Sequence, residues 1–122
     1  MKTSELLGAE LDWAVAKCEG ATDEWRSDGP FWWHGVPCIR IGGHDVNYRP
    51  STDWALAGPI IEREFICLWS EGYEWEAKIQ TGAGVWLAEW DDSPLIAAMR
   101  CYVASKLGDD IEIPTELLGE MK

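Results

Sequence analysis

The spacing of apolar residues switches from helical to alternating and back, and each stretch predicts an element. Leu7, Leu11, Ala14, Val15 and Cys18 recur at helical intervals and define one face of a helix near residues 4–18. Glu5, Glu10 and Asp12 lie toward its positive end and Gly20 stops it, while Gly8 weakens the first turn and shifts the regular helix to about Ala9. Residues 20–30, GATDEWRSDGP, show no period and many turn formers, so they read as a loop. FWWHGVPCIRI at 31–41 is aromatic and β-branched but interrupted by Gly35 and Pro37, which predicts two short strands or one edge strand. Gly42-Gly43 then makes a tight turn into HDVNY, giving a hairpin across 38–48.

In RPSTDWALAGPIIERE at 49–64, Pro50 fixes φ, and Ser51, Thr52 and Asp53 can fold back onto nearby backbone N–H groups. A helical turn at 54–57 is expected to end at Gly58, with a second starting from Pro59. FICLWS at 65–70 reads as a buried strand. YEWEAKIQ at 73–80 alternates Tyr73, Trp75, Ala77 and Ile79 with polar residues after a Glu71-Gly72 turn, and VWLAEW at 85–90 follows as a further strand. Ser93 as N-cap, Pro94 at the first helical position and Gly108 as stop frame a last helix, on which Leu95, Met99, Tyr102, Val103 and Leu107 share a face with Ala98 and Cys101 beside it. A short extended IEI at 111–113 precedes Pro114. Hairpin-length connections require antiparallel pairing. The expected fold class is therefore α+β: a small antiparallel β-sheet with an N-terminal helix and a C-terminal helix packed on it, in a single domain spanning 1–122.

Composition narrows the function. Ten Lys+Arg against 22 Asp+Glu leave a net charge of −12, so a general attraction to nucleic acid or anionic lipid is absent. No apolar run approaches the ~20 residues of a membrane span, and acids occupy the start where a signal peptide needs an unbroken apolar stretch. Neither a membrane nor direct nucleic-acid binding is expected. Cys18, Cys38, Cys67 and Cys101 are widely spaced and read as reduced cytoplasmic thiols. Nine Trp against two Phe and three Tyr is the composition's oddity. Their size predicts that most fill the core, and the surplus favours contacts in a homo-oligomer.

His34, Cys38 and His44 offer three zinc donors, or a thiol with a base, but no local motif supplies a fourth ligand or marks an activated thiol. No metal or cofactor is expected. Glu62 with Glu64, Asp91-Asp92 and Asp109-Asp110 read as solvated or capping acids, and Gly82-Ala83-Gly84 lacks the lysine of a phosphate loop. The chain carries no enzyme signature. Binding chemistry is better represented. Arg40, Arg49, Arg63 and Arg100 are rare cations suited to phosphate or carboxylate, and Trp32, Trp33, Tyr48 and Trp54 could stack on a flat ring. Arg49-Pro50-Ser51-Thr52-Asp53-Trp54 gathers cation, hydroxyls and ring within six residues. The expected ligand site is Arg49, Ser51, Thr52, Asp53 and Trp54, joined by Arg40, Arg63, Arg100, Trp32 and Trp33. The competing reading of each arginine is a pair with one of the 22 acids.

KTSELLGAELDWAVAKCEG at the start, PSTDWALAGPIIERE in the middle and PLIAAMRCYVASKLGDDIEIP near the end resemble, in that order, the NinX family of small phage and prophage proteins. The resemblance implies a phage accessory protein acting in the bacterial cytoplasm, and no particular mechanism. An N-terminal helix ending in Gly, short strands, and Pro50, Ser51, Asp53 and Trp54 are also similar to the Thoeris anti-defence sponges. Those phage proteins hold a cyclic nucleotide signal without cleaving it, in a small antiparallel α+β fold that oligomerises. This second resemblance implies non-enzymatic capture of a nucleotide-like host signal, with the arginines on phosphate, the indoles on the base, and Ser51 and Thr52 donating hydrogen bonds. The alternative is an acidic inhibitor or DNA mimic, whose surface engages a basic host defence or nucleic-acid-processing protein.

Overall fold

Ser93 accepts a hydrogen bond from the Ile96 N–H at 3.3 Å, Pro94 takes the first helical position, and Gly108 leaves the helix at φ +88°. The last helix, α3 (Pro94–Leu107), thus forms between the signals that predict it. Residues 97–104 are all buried, Arg100 among them, so the middle of the helix faces the interior all the way round. In the computed structural model, which describes residues 1–115 and 117, the N-terminal segment, the two other helices and the strands of 67–91 pack against this helix.

A 3₁₀ turn, Thr3–Glu5, leads into α1 (Gly8–Cys18). Next come β1 (Phe31–Trp33), β2 (Val36–Ile41) and β3 (His44–Asn47), then α2 (Trp54–Arg63), then β4 (Cys67–Glu71), β5 (Glu74–Gln80) and β6 (Trp86–Asp91). The α+β class holds, with helices at both ends. The strands, however, divide between two three-stranded antiparallel sheets, β1-β2-β3 and β4-β5-β6, instead of forming one. α3 packs on β5 and β6 from one side and on α1 from the other, and α1 in turn meets β2. The sheets are separated because two helices lie between them.

The core interleaves alanine and cysteine with larger residues. Ala14 and Ala16 of α1, Ala57 of α2, Ala77 of β5, and Ala97, Ala98 and Cys101 of α3 are all buried, with Leu11, Val15, Ile60, Ile79, Met99, Tyr102 and Val103 filling between them. Such close packing leaves no cavity for an indole. Against the expectation from size, none of the nine tryptophans is buried. Trp13, Trp32 and Trp75 are half-buried, and Trp25, Trp33, Trp54, Trp69, Trp86 and Trp90 are 53–65% exposed.

The hairpin across 38–48 forms in the register Cys38↔Asn47 to Ile41↔His44, turning at Gly42 and Gly43 with φ of +59° and +85°. Residues 31–41 make two short strands, and β2 is central although it contains Pro37. Pro37 lies one residue beyond the last β2–β3 pair; its carbonyl accepts the Tyr48 N–H at 2.9 Å, and no ladder bond calls for its missing N–H. Two expectations fail for local reasons. α2 does not stop at Gly58 but runs through Pro59, because proline's ring restricts the preceding residue mainly through its Cβ, which glycine lacks. The 65–70 strand begins at Cys67 and is largely exposed, since β4 is an edge strand with one face turned outward. The 111–113 segment joins no sheet; the Ile111 N–H donates to the Met1 carbonyl at 2.9 Å, and Ile111 and Ile113 are buried. No described helix is long and apolar enough to cross a membrane.

Met99 is fully buried at the centre of α3. Met99→Ala is expected to lower stability by about 2–5 kcal/mol, against about 1 kcal/mol for Ser93→Ala, which removes only the cap. Urea denaturation followed by circular dichroism measures both, and a Met99→Ala cost no larger than that of Ser93→Ala would contradict the placement of α3.

Candidate functional site

Segment 48–53 crosses from the first sheet to α2 and is held from below by α1. The Arg49 carbonyl accepts the N–H groups of Thr52 at 3.2 Å and Asp53 at 3.0 Å, which closes a turn. The Ser51 N–H donates to Asp12 Oδ1 at 2.8 Å, tying that turn to α1. Asp53 Oδ1 accepts the Ala55 N–H at 2.9 Å and caps α2. Asp12 and Ser51 are buried, and the Ser51 hydroxyl has no hydrogen-bond partner among the described residues. Burial raises the Asp12 carboxyl above its usual range, opposed by the Ser51 hydrogen bond and by the nearby Arg49 charge.

Arg49 stands on this turn with its side chain exposed, between two adjoining concavities. One, of about 290 Å³, has Asp12, Pro37, Asn47, Tyr48 and Arg49 in its wall. The other, shallower and of about 650 Å³, is lined by Val46, Asn47, Arg49, Thr52 and Asp53. A guanidinium, an amide and two carboxyl groups therefore face neighbouring spaces. Such a set suits a ligand that presents an anionic group to Arg49 and N–H donors to Asp12, Asn47 or Asp53.

The other three arginines do not converge on this place, because each is already satisfied. Arg40 lies directly across from Asp45 on β2 and β3 and holds it bidentately at 2.8 and 3.1 Å, with Trp25 under the guanidinium at 5.0 Å. That pair lowers the Asp45 carboxyl, the Arg40 hydrogen bond being the main cause. Arg63 grips Glu19 at 2.7 and 3.1 Å and Glu64 at 2.9 Å, and donates to the Tyr102 oxygen at 3.1 Å. Tyr102 itself donates to Glu19. This cluster joins the C-terminal ends of α1 and α2 to α3, and it raises the Arg63 guanidinium chiefly through its bond to Glu19. Arg100 is buried, donating from Nε to the Leu6 carbonyl at 2.8 Å and from Nη1 to Asp91 at 3.3 Å. It fastens the entry of α1 to the end of β6. Among the described residues Arg49 alone of the four has no carboxylate in an ion pair.

The expected ring partners are also dispersed. Trp32 is half-buried against Trp13, with ring centroids 5.9 Å apart. Trp33 sits at the first hairpin, with its ring edge-on to His34 at 4.7 Å. Trp54 opens α2 and is 54% exposed. His34 and His44 flank opposite ends of β2, whose six residues span roughly 17–20 Å, too far for one ion. Burial raises the Cys38 thiol between them, the opposite of nucleophile activation. Asp12, expected as a helix-end acid, and Asn47 both face this place; Asp12 precedes Val15 by three residues and so shares its inward side.

The raised Asp12 carboxyl has a definite pH consequence. A carboxyl protonated more readily folded than unfolded contributes stability that fades as pH rises above about 4. Asp12→Asn keeps an acceptor for the Ser51 N–H without the charge. The variant is expected to gain stability relative to wild type as pH rises from 4 to 7, measured as the difference between urea midpoints. A difference independent of pH would contradict the burial of the charge.

The family model described as Bacteriophage P22, NinX matches residues 2–106. No curated protein matches the chain. With most of its length covered, the chain belongs to the NinX family of phage accessory proteins.

Proposed function

We propose that this NinX-family protein acts by binding and not by catalysis, and that it withholds a nucleotide-like host immune signal, such as a cyclic nucleotide, by holding it at Arg49. The observation that carries the reading is that this guanidinium has no carboxylate partner among the described residues. In a chain of net charge −12, with the three other candidate arginines paired, Arg49 stands between two concavities beside the Asn47 amide and the Thr52 hydroxyl. A phosphate on Arg49 gains a charge-assisted contact. A base in the smaller concavity meets Asn47 and Asp12, which read its hydrogen-bonding edge. Trp54, exposed at the start of α2, supplies the stacking indole nearest in the chain.

Both concavities are open to solvent, so capture of a small molecule calls for a cover. Homo-oligomerisation, with a second copy closing the space over Arg49, belongs to this reading, as does action in the host cytoplasm, where such a signal is made. Calorimetric titration with cyclic dinucleotides and cyclic ADP-ribose isomers tests it. Binding by the wild type, weakened tenfold or more in Arg49→Ala and unchanged in Arg40→Ala, is the expected result. Silence across the panel from folded protein, or equal binding by Arg49→Ala, would overturn it.

A further inference from the structure

The second sheet turns one face to α3 and leaves the other open. On β5, Trp75, Ala77 and Ile79 point inward, so Glu74, Glu76, Lys78 and Gln80 point outward. Register carries the alternation to the neighbouring strands. Trp69 of β4 and Trp90 of β6 both lie directly opposite Glu76, and Trp86 lies opposite Gln80. Across three adjacent strands the outer face thus reads Trp69, Glu76, Trp90: two indoles two strand spacings apart, about 10 Å, with a carboxylate between them. All three outer tryptophans are at least 53% exposed.

Glu71 and Glu74, a directly opposed like-charge pair, lie beside this row. Such a pairing destabilises a sheet unless something positive approaches it. The face is concave on both sides of Glu76. A cleft of about 320 Å³ is walled by Trp69, Glu71, Glu76 and Lys78, and one of about 270 Å³ by Glu71, Glu74, Glu76 and Trp90. Among the described residues Lys78 is the one cation on this face and reaches Glu76 at 3.6 Å, which leaves three glutamates against one lysine.

We infer that the outer face of the β4-β5-β6 sheet is a docking surface for a basic, arginine-bearing segment of another protein, with Trp69 and Trp90 stacking on its guanidinium groups and Glu71, Glu74 and Glu76 pairing with them. Guanidinium is the side-chain group that both stacks on indole and forks onto carboxylate, so one residue type satisfies both halves of the face. A second copy of this chain fits poorly, because two faces in contact would oppose six glutamates in a pair of molecules each at −12. The surface is built from elements other than those carrying Arg49, so it stands or falls separately from ligand capture there.

The test uses the full chain and nona-arginine as probe, with binding read by calorimetry at low and at moderate salt. The decisive variant is Trp69→Ala/Trp90→Ala, which leaves the net charge at −12 and so leaves any unspecific electrostatic attraction intact. Both side chains are exposed, and circular dichroism verifies the fold. Wild type is expected to bind with a defined stoichiometry, the double variant at least tenfold more weakly, and Glu76→Gln several-fold more weakly. Equal affinity of wild type and the tryptophan variant would overturn the proposal, assigning the binding to overall charge, and absence of binding would do the same. Sedimentation showing a wild-type dimer that the double variant dissolves would overturn it in favour of a second copy.

Discussion

Everything in this molecule depends on one helix that is buried on every side. Residues 97–104 of α3 are buried all round, so it cannot lie on a surface; the second sheet, α1 and the N-terminal segment are all brought to it. Its closest neighbours meet it through alanine and cysteine, and the elements approach one another tightly. Tight approach sets alanine and cysteine at these contacts, and no indole is fully buried among them. The unusual tryptophan content is thereby displaced to the rim, where each of six rings leaves half or more of its area in water. Covering what one such ring leaves exposed is worth roughly 3 kcal/mol in transferred area, so the exterior of this small domain holds a reserve of binding energy that its interior does not use.

The cations are distributed by the same logic. Arg100 is drawn inward because the entry of α1 and the end of β6 bring a carbonyl and a carboxylate together beside α3. Arg63 is taken by Glu19 and Tyr102 where three helices meet. What remains outside is a strongly negative surface with, at one place, a guanidinium unpaired among the described residues and an aromatic, acidic sheet face at another. The two proposed sites call for opposite chemistries: an anion at Arg49, a cation at Trp69 and Trp90.

Much of the fold was legible in the chain. The ends of α3 are written in Ser93, Pro94 and Gly108, and the first hairpin pair in Gly42-Gly43, because capping and turn chemistry act over a few residues. The division into two sheets was not legible, since it follows from helices passing between strands that are distant in sequence. The passage of α2 through Pro59 was hidden in its neighbour: Gly58 looks like a stop when read alone, yet it is what lets the helix continue. Of the site, the Arg49 turn was legible as a local cluster of special residues. The pairing of Arg40, Arg63 and Arg100 was not, because the acids that claim Arg63 and Arg100 include partners from other elements, and the Arg40 pair depends on strand register. The outer aromatic row escaped notice for the same reason: Trp69, Glu76 and Trp90 are neighbours across strands, never along the chain.

The displacement of indole by small residues is tested most directly by intrinsic fluorescence of the native protein at high dilution. If the tryptophans lie outside an alanine-rich core, native emission is red-shifted close to that of the urea-unfolded chain, and acrylamide quenches nearly all of it. A blue-shifted native spectrum with a large fraction shielded from acrylamide would place the rings inside and contradict the account.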